Sequence, residues 1–187
     1  MIKIFIDQGH NPQNPNAGAE GNGYREQDIT YKIGVELARL LNANPNFEAR
    51  LSRNSPTEIL GKSNAESLRI RVGEANAYGA DAFISIHLNA SNITSATGSE
   101  AFVFRLGNAA EELASDILLR LTEATGYQNR GVFARPTLYV LRKTQMPATL
   151  LEVGYISNPG EARFMNDNPG LYARGIYNGI LTYYGFQ

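Results

Sequence analysis

The sequence contains two histidines, and each follows an apolar stretch of strand length. His10 comes directly after residues 4–9 (IFIDQG), and His87 comes directly after residues 83–86 (FISI). A neutral imidazole is the commonest metal ligand among side chains. A single histidine at a strand end more often makes a structural hydrogen bond, but two at equivalent positions on adjacent strands can converge on one metal ion.

A third protein ligand has to be a carboxylate, because the sequence has no cysteine and no further histidine. Glu26 is the best candidate, since it begins the inward stripe of a helix. An ionised carboxylate on such a face needs a cation, which a metal supplies, although a first-turn glutamate also gains from the helix dipole. Asp7 competes as a residue that supports the ligands, and Glu20 competes as a ligand from the loop.

Glu152 is a second acid in an apolar setting, within residues 149–154 (TLLEVG). A polar side chain inside such a run needs a partner. A glutamate at a strand end that faces a metal can act as a general base on water. The alternative is a structural ion pair with a buried arginine.

Composition places these residues in a globular protein and excludes several classes of function. The 187 residues are 43% hydrophobic and 19% charged, with a formal net charge of −1. This length predicts one domain, spanning residues 1–187. The near-neutral charge argues against a nucleic-acid partner, and no apolar run is long enough for a membrane span.

Alternating strand and helix patterns must position the candidate residues. Strands are predicted at residues 2–6, 47–51, 82–86, 100–104, 137–141 and 149–153. Helices are predicted from four inner faces: Ile29, Ile33, Leu37, Leu40 and Leu41; Ala65, Leu68, Val72 and Ala75; Ala110, Leu113, Ile117 and Leu121; and Tyr172, Ile176 and Ile180. The pattern predicts a three-layer α/β domain, with helices flanking a largely parallel six-stranded sheet. Ligands bind such sheets at the carboxyl ends of the strands, where polar loops 8–25 and 88–98 follow two of them.

Four blocks of residues occur in an order that resembles a known family. They are residues 5–10 (FIDQGH), 25–29 (REQDI), 83–90 (FISIHLNA) and 151–158 (LEVGYISN). The chain resembles the zinc-dependent N-acetylmuramoyl-L-alanine amidases of amidase type 3 over essentially its whole length. Gln8 stands where this family usually has proline, and Asn11-Pro12 where it usually has glycine, which changes the turn beside the metal.

The resemblance implies a role for each candidate residue. His10, Glu26 and His87 would bind one zinc ion, and Glu152 would be the catalytic acid and base. The enzyme would hydrolyse the amide between the lactyl group of N-acetylmuramic acid and L-alanine of the stem peptide. Its partner would be peptidoglycan, and it would act on the cell wall as an autolysin or an endolysin. No signal peptide is recognisable, which predicts either that a leader has been removed or that the protein is released as phage enzymes are.

Arg130, Arg135 and Arg142 precede the strand that carries Glu152 and could pair with carboxylates of the stem peptide. The alternative is that they are solvated surface charges.

Rival functions remain open from the residues alone. A related zinc hydrolase, such as a carboxypeptidase, would release a terminal amino acid instead of a muramyl carboxyl group. A non-catalytic wall-binding module would bind without cleavage, and the presence of Glu152 argues against it. A structural α/β interaction protein would bind no zinc.

Overall fold

The computed structural model describes residues 1–186, in which a six-stranded sheet lies between two layers of helices. The strands are β1 (Ile2–Gln8), β2 (Glu20–Gly21), β3 (Tyr24–Arg25), β4 (Phe47–Leu51), β5 (Ala82–Asn89), β6 (Ser99–Val103), β7 (Asn129–Ala134) and β8 (Ala148–Tyr155). The helices are α1 (Glu26–Asn42), α2 (Asn64–Tyr78), α3 (Ala109–Thr125), α4 (Tyr139–Lys143), α5 (Pro159–Asp167) and α6 (Pro169–Tyr183).

The main sheet has the strand order β4-β1-β5-β8-β6-β7. Strands β4, β1, β5 and β8 are parallel, whereas β6 pairs with β8 in the antiparallel sense and β7 runs parallel to β6. The predicted three-layer fold with a largely parallel sheet is therefore confirmed. Strands β2 and β3 form a separate small hairpin in the loop before α1.

Successive residues of β1 face opposite helix layers, because side chains alternate along a strand. Ile4 and Ile6 belong to the larger core, which contains residues of α1, α3 and α6. Phe5 belongs to the second core, with residues of α2 and α4. The apolar run of β1 is continuous because both faces of this central strand pack against a hydrophobic core. None of the helices within residues 1–186 is long and apolar enough to cross a bilayer.

Side-chain hydrogen bonds and local backbone geometry set three of the helix boundaries. The Ser63 hydroxyl accepts from the backbone N–H of Glu66, and the Asn108 side chain accepts from two N–H groups in the first turn of α3. Gly126 ends α3 in the left-handed conformation, with φ 75°. These caps satisfy backbone groups that the helices themselves leave unpaired.

The strand predicted at residues 137–141 is wrong, because this segment contains the start of helix α4. Val140 and Leu141 are buried from adjacent positions of a short helix, and so short an apolar run does not distinguish helix from strand. Strand β7 was not predicted, since it is half-exposed at the sheet edge and lacks an apolar pattern. Helix α5 was also not predicted, and Ala65 of the expected inner face of α2 is exposed.

Candidate metal centre

Both histidines lie at the carboxyl end of the parallel strands, as predicted. His10 comes two residues after β1, and His87 lies near the end of the neighbouring strand β5. Their ring centroids are 4.8 Å apart in an edge-to-face arrangement. The side chains are 23% and 18% exposed, so solvent reaches the centre from one side.

Glu26 joins the two imidazoles from the first position of α1. Its Oε1 atom is 3.2 Å from Nε2 of His10 and 3.0 Å from Nδ1 of His87. One ligand atom from each of these residues lies within 4.8 Å of the others. The three residues predicted as ligands are therefore together in the fold. Glu20 is exposed in the β2–β3 hairpin, and Asp7 is engaged elsewhere, as described below.

The carboxylate of Glu26 is held in place by backbone amides. The N–H of Ala19 donates to Oε2, and the N–H of Leu88 donates to Oε1, each at 2.9 Å. Glu26 is only 3% exposed, and burial alone would raise its pKa. The hydrogen bonds and charges of the two histidines outweigh burial and bring the pKa of Glu26 well below its ordinary value. The carboxylate is therefore ionised and orientated before any ligand arrives.

The donor set suits a divalent metal ion that accepts nitrogen and oxygen ligands. Two imidazoles and one carboxylate favour zinc over magnesium or calcium, which prefer oxygen ligands only. Within residues 1–186 the ion pairs of Glu26 are with these two histidines, so the buried carboxylate has no permanent cation. The Nδ1 atom of His10 is buried and lacks a hydrogen-bond partner in the same part of the chain. A bound cation would compensate the charge of Glu26.

Two glycines allow the histidines and the glutamate to approach each other. A Cβ atom at Gly9 would lie 2.6 Å from Cε1 of His87, and also 2.6 Å from the carbonyl oxygen of Ile86. A Cβ atom at Gly18 would lie 2.9 Å from both Oε2 of Glu26 and Cδ2 of His10. Any larger residue at either position would displace a predicted ligand.

The backbone of His10 is in the left-handed region, with φ 70°, which is uncommon for a residue other than glycine. Arg71, which is 1% exposed, donates from Nη2 to the carbonyl oxygen of His10 and from Nη1 to that of Gln8, each at 2.6 Å. Its Nη1 atom also binds Asp7 at 2.6 Å. Arg71 thus clamps the turn that carries His10. The apolar periodicity of α2 predicted only an apolar inner face, and the contacts of Arg71 were not predicted.

Gln8 and Asn11, two of the positions at which the chain departs from the pattern that it resembles, tie the same turn to the segment after β4. The amide side chain of Gln8 donates to the carbonyl oxygen of Arg53 at 3.2 Å and accepts from its N–H at 2.9 Å. The side chain of Asn11 makes the same pair of bonds with the backbone of Leu60, each at 3.1 Å. These side-chain hydrogen bonds therefore hold the turn against the backbone that follows β4.

Glu152 lies beside the centre, directly across from His87 in the register of β5 and β8. Its Oε2 atom is buried and has no hydrogen-bond partner within the described residues. Burial, followed by the nearby charges of Glu26 and Glu100, raises the pKa of Glu152 to about 8. The ion pairs in residues 1–186 join Arg130 to Glu100, and no arginine to Glu152, so the structural alternative for Glu152 is not supported.

Comparison with known proteins supports the family resemblance that the sequence motifs indicated. The family model described as N-acetylmuramoyl-L-alanine amidase matches residues 4–182. The chain is 34% identical over 184 residues to the N-acetylmuramoyl-L-alanine amidase CwlM of Bacillus licheniformis, covering 96% of this chain and 68% of that protein. It is also 34% identical over 187 residues to LytC of Bacillus subtilis, but this match covers only 35% of LytC and 97% of this chain.

The solved structures extend this similarity to three dimensions. The catalytic domain of CwlV, an N-acetylmuramoyl-L-alanine amidase from Bacillus (Paenibacillus) polymyxa, superimposes with a TM-score of 0.87 at 31% identity. That match covers 100% of both chains. The strand order and helix layers described above are therefore those of an amidase catalytic domain.

Proposed function

This chain belongs to the N-acetylmuramoyl-L-alanine amidase family, and from that premise we propose that it hydrolyses the muramyl–L-alanine amide of peptidoglycan in a zinc-dependent reaction. The observation that carries the proposal is the convergence of His10, Glu26 and His87 beside Glu152. We assign residues 1–187 to one catalytic domain that acts on the cell wall. The names of its relatives, which include a sporulation-specific amidase and a phage endolysin, support that place of action.

The predicted metal ligands are His10, Glu26 and His87. A bound zinc ion would polarise the carbonyl group of the scissile amide and increase the acidity of a water molecule, which is the chemistry that zinc supplies in hydrolases. The protein contributes a carboxylate that the amides of Ala19 and Leu88 already orientate. Such supporting hydrogen bonds fix ligand geometry in metal sites.

Glu152 is the proposed general base and general acid. Its raised pKa places proton uptake and release near neutral pH, where acid–base catalysis is most effective. The carboxylate would accept a proton from the attacking water and then deliver it to the nitrogen of the leaving L-alanine. The buried Oε2 atom, which lacks a partner among residues 1–186, is free for this exchange.

Mass analysis of the products tests the proposed reaction. Purified peptidoglycan treated with the zinc-loaded protein should yield stem peptides with a free L-alanine amino group and glycan with free lactyl carboxyl groups. Release of a single terminal amino acid would indicate a carboxypeptidase. Binding to peptidoglycan with no new amino or carboxyl groups would indicate a wall-binding module.

Elemental analysis tests the proposed ligands. The His87→Ala variant should retain less than a tenth of the zinc that the parent protein retains after dialysis, while Glu152→Gln should retain the parent amount. Unchanged zinc in His87→Ala would remove His87 from the ligand set. Circular dichroism of both variants checks that the fold is preserved.

A further inference from the structure

Side chains from neighbouring strands form a row along the sheet, on the face that also carries α2 and α4. The row consists of His87 in β5, Glu152 in β8, Glu100 in β6 and Arg130 in β7. Glu152 is in register with both His87 and Glu100, so these three side chains point to the same face. The Nε atom of Arg130 lies 3.6 Å from Oε2 of Glu100, which continues the row away from the candidate metal centre.

The guanidinium group of Arg130 is fixed by its surroundings and yet accessible. Its Nη1 atom donates to the carbonyl oxygen of Thr97 at 3.2 Å, and the group lies 5.3 Å from the ring centroid of Tyr155. Glu100 is itself held by Asn89, whose Nδ2 atom donates to Oε1 at 2.8 Å. The Arg130 side chain remains 36% exposed, so it can still bind a ligand from solution.

The other arginines considered in the sequence lie elsewhere. Arg130 is near the start of β7, whereas Arg135 follows the end of that strand and stacks 5.0 Å from the ring centroid of Phe102. The five residue steps from Arg130 to Arg135 separate the two by about 17 Å along the strand. Arg142 belongs to α4 and is exposed. Of this group, Arg130 alone is in the row with Glu152, as far as residues 1–186 show.

The spacing of the row matches the distance from the scissile nitrogen of a peptide substrate to a carboxylate on the residue after L-alanine. Adjacent strands are about 4.8 Å apart, so the backbone at Arg130 lies roughly 10 Å from the backbone at Glu152, two strands away. An extended peptide advances about 3.5 Å per residue, so a carboxylate on the residue after L-alanine is about 7 Å from the scissile nitrogen. A hydrogen bond of about 2.8 Å covers the remaining distance.

We propose that Arg130 binds a carboxylate of the stem-peptide residue that follows L-alanine, and that Glu100 is the positioning residue that holds its guanidinium group. The inference rests on the proposed function, because it takes the scissile amide to lie at Glu152. Arginine presents a planar fork of donors that matches a carboxylate, and the stem peptide supplies carboxylates while the sugar hydroxyls do not. Arg130 then determines specificity for acidic over amidated stem peptides.

Cleavage of a matched pair of soluble substrates tests the proposal. One is N-acetylmuramoyl-L-alanyl-D-glutamate, and the other carries carboxamides in place of both glutamate carboxyl groups. The zinc-loaded parent protein should cleave the acidic fragment with a kcat/KM about tenfold higher, the effect of one charge-assisted contact. Arg130→Gln should reduce this ratio towards one, and Arg130→Lys should retain part of it. Arg135→Gln is the matched control and should keep the parent ratio.

Binding separates failure of this inference from failure of the proposed function. Zinc-loaded Glu152→Gln protein should bind the acidic fragment about tenfold more tightly than the amidated one in calorimetry, and adding Arg130→Gln should remove the difference. The inference would be overturned if the preference for the acidic fragment survives Arg130→Gln, or if the parent protein shows no such preference. If Arg130→Gln weakens binding of both fragments equally, then Arg130 only neutralises Glu100 and the inference is wrong. If neither fragment nor peptidoglycan is cleaved but the binding preference is present, the proposed reaction fails and the inference stands.

Discussion

Asp7 and Glu152 are acids on the same face of the sheet, and their surroundings shift their pKa values in opposite directions. Both oxygens of Asp7 have partners: Oδ1 accepts from Arg71 at 2.6 Å, and Oδ2 accepts from the Ser85 hydroxyl at 2.7 Å. Burial would raise the pKa of Asp7, but the charges of Arg71 and His87 and the hydrogen bonds from Arg71 and Ser85 together outweigh burial and lower the pKa. Glu152 has carboxylates as its charged neighbours, and its pKa is raised.

The difference distinguishes an acid that is neutralised within the fold from an acid that we propose to be catalytic. The charge of Asp7 is neutralised within the fold, and its ion pair with Arg71 supports the turn that carries His10. No ion pair within residues 1–186 neutralises the charge of Glu152. A bound cation or a transferred proton would have to compensate that charge. We expect replacement of Asp7 or its partners to affect stability, and replacement of Glu152 to affect catalysis.

The largest expected effect is on the rate of the Glu152→Gln variant. Loss of a general acid–base group should reduce amide hydrolysis by about 10²–10⁴-fold, while the folded structure and zinc content persist. The rate of release of new amino groups from peptidoglycan measures it. If the variant keeps a tenth or more of the parent rate, Glu152 is not the base.

Arg71→Met should cause the largest loss of stability, because it leaves Asp7 buried without its cation. Removal of one member of a buried ion pair typically lowers the free energy of unfolding by about 3–5 kcal/mol. Urea denaturation of the metal-free protein measures the change. Arg69→Met on the exposed side of α2 is the control and should change stability by less than about 0.5 kcal/mol. Equal effects of the two substitutions would contradict the role of Arg71.

Ser85→Ala should have an intermediate effect, since it removes one of the two partners of Asp7 and leaves the ion pair in place. Hydrogen bonds to charged groups contribute about 1.5–3 kcal/mol. The same denaturation experiment should therefore show a smaller loss than Arg71→Met. A loss as large as that of Arg71→Met would contradict the larger contribution assigned to the ion pair between Asp7 and Arg71.

The dependence of stability on pH should have opposite signs at the two acids. The folded pKa of Asp7 is below its ordinary value of 3.8, so its contribution is present above that pH and is lost on further acidification. The folded pKa of Glu152 is raised from 4.5 to about 8, so metal-free protein should lose stability as the pH rises through that interval. Thermal unfolding in chelator, compared between the parent protein and Glu152→Gln, measures the second effect. If the difference in stability between the parent protein and Glu152→Gln stays constant from pH 5 to 8, the predicted effect of Glu152 is wrong.

Much of the fold was predictable because it depends on local patterns. Apolar runs such as those of β1 and β5, and periodic apolar faces such as those of α1 and α3, act over a few residues, and patterns of this kind identified most elements. Strand β7 and helix α4 were missed because their conformations depend on a sheet edge and on tertiary burial. Short segments of this kind carry little periodic information.

The candidate ligands could be named in advance because few residue types can bind zinc and because strand ends meet at one edge of a parallel sheet. His10, Glu26 and His87 were selected from these constraints and from the family resemblance. Whether they bind metal stays a prediction, although the structure brings them together. The clamp by Arg71 was not foreseen, since an arginine in an amphipathic helix is usually exposed.

Residue types and their order along the chain were enough to indicate the fold class, the family and the acids and imidazoles available for chemistry. The charge state of each acid depended on contacts between residues far apart in sequence: Arg71 reaches Asp7 across 64 positions, while Glu152 faces Glu100 and Glu26. Burial and the nearest charges set a pKa, and both are properties of the folded chain. For that reason the charge state of Asp7 and of Glu152 could be derived only from the tertiary structure.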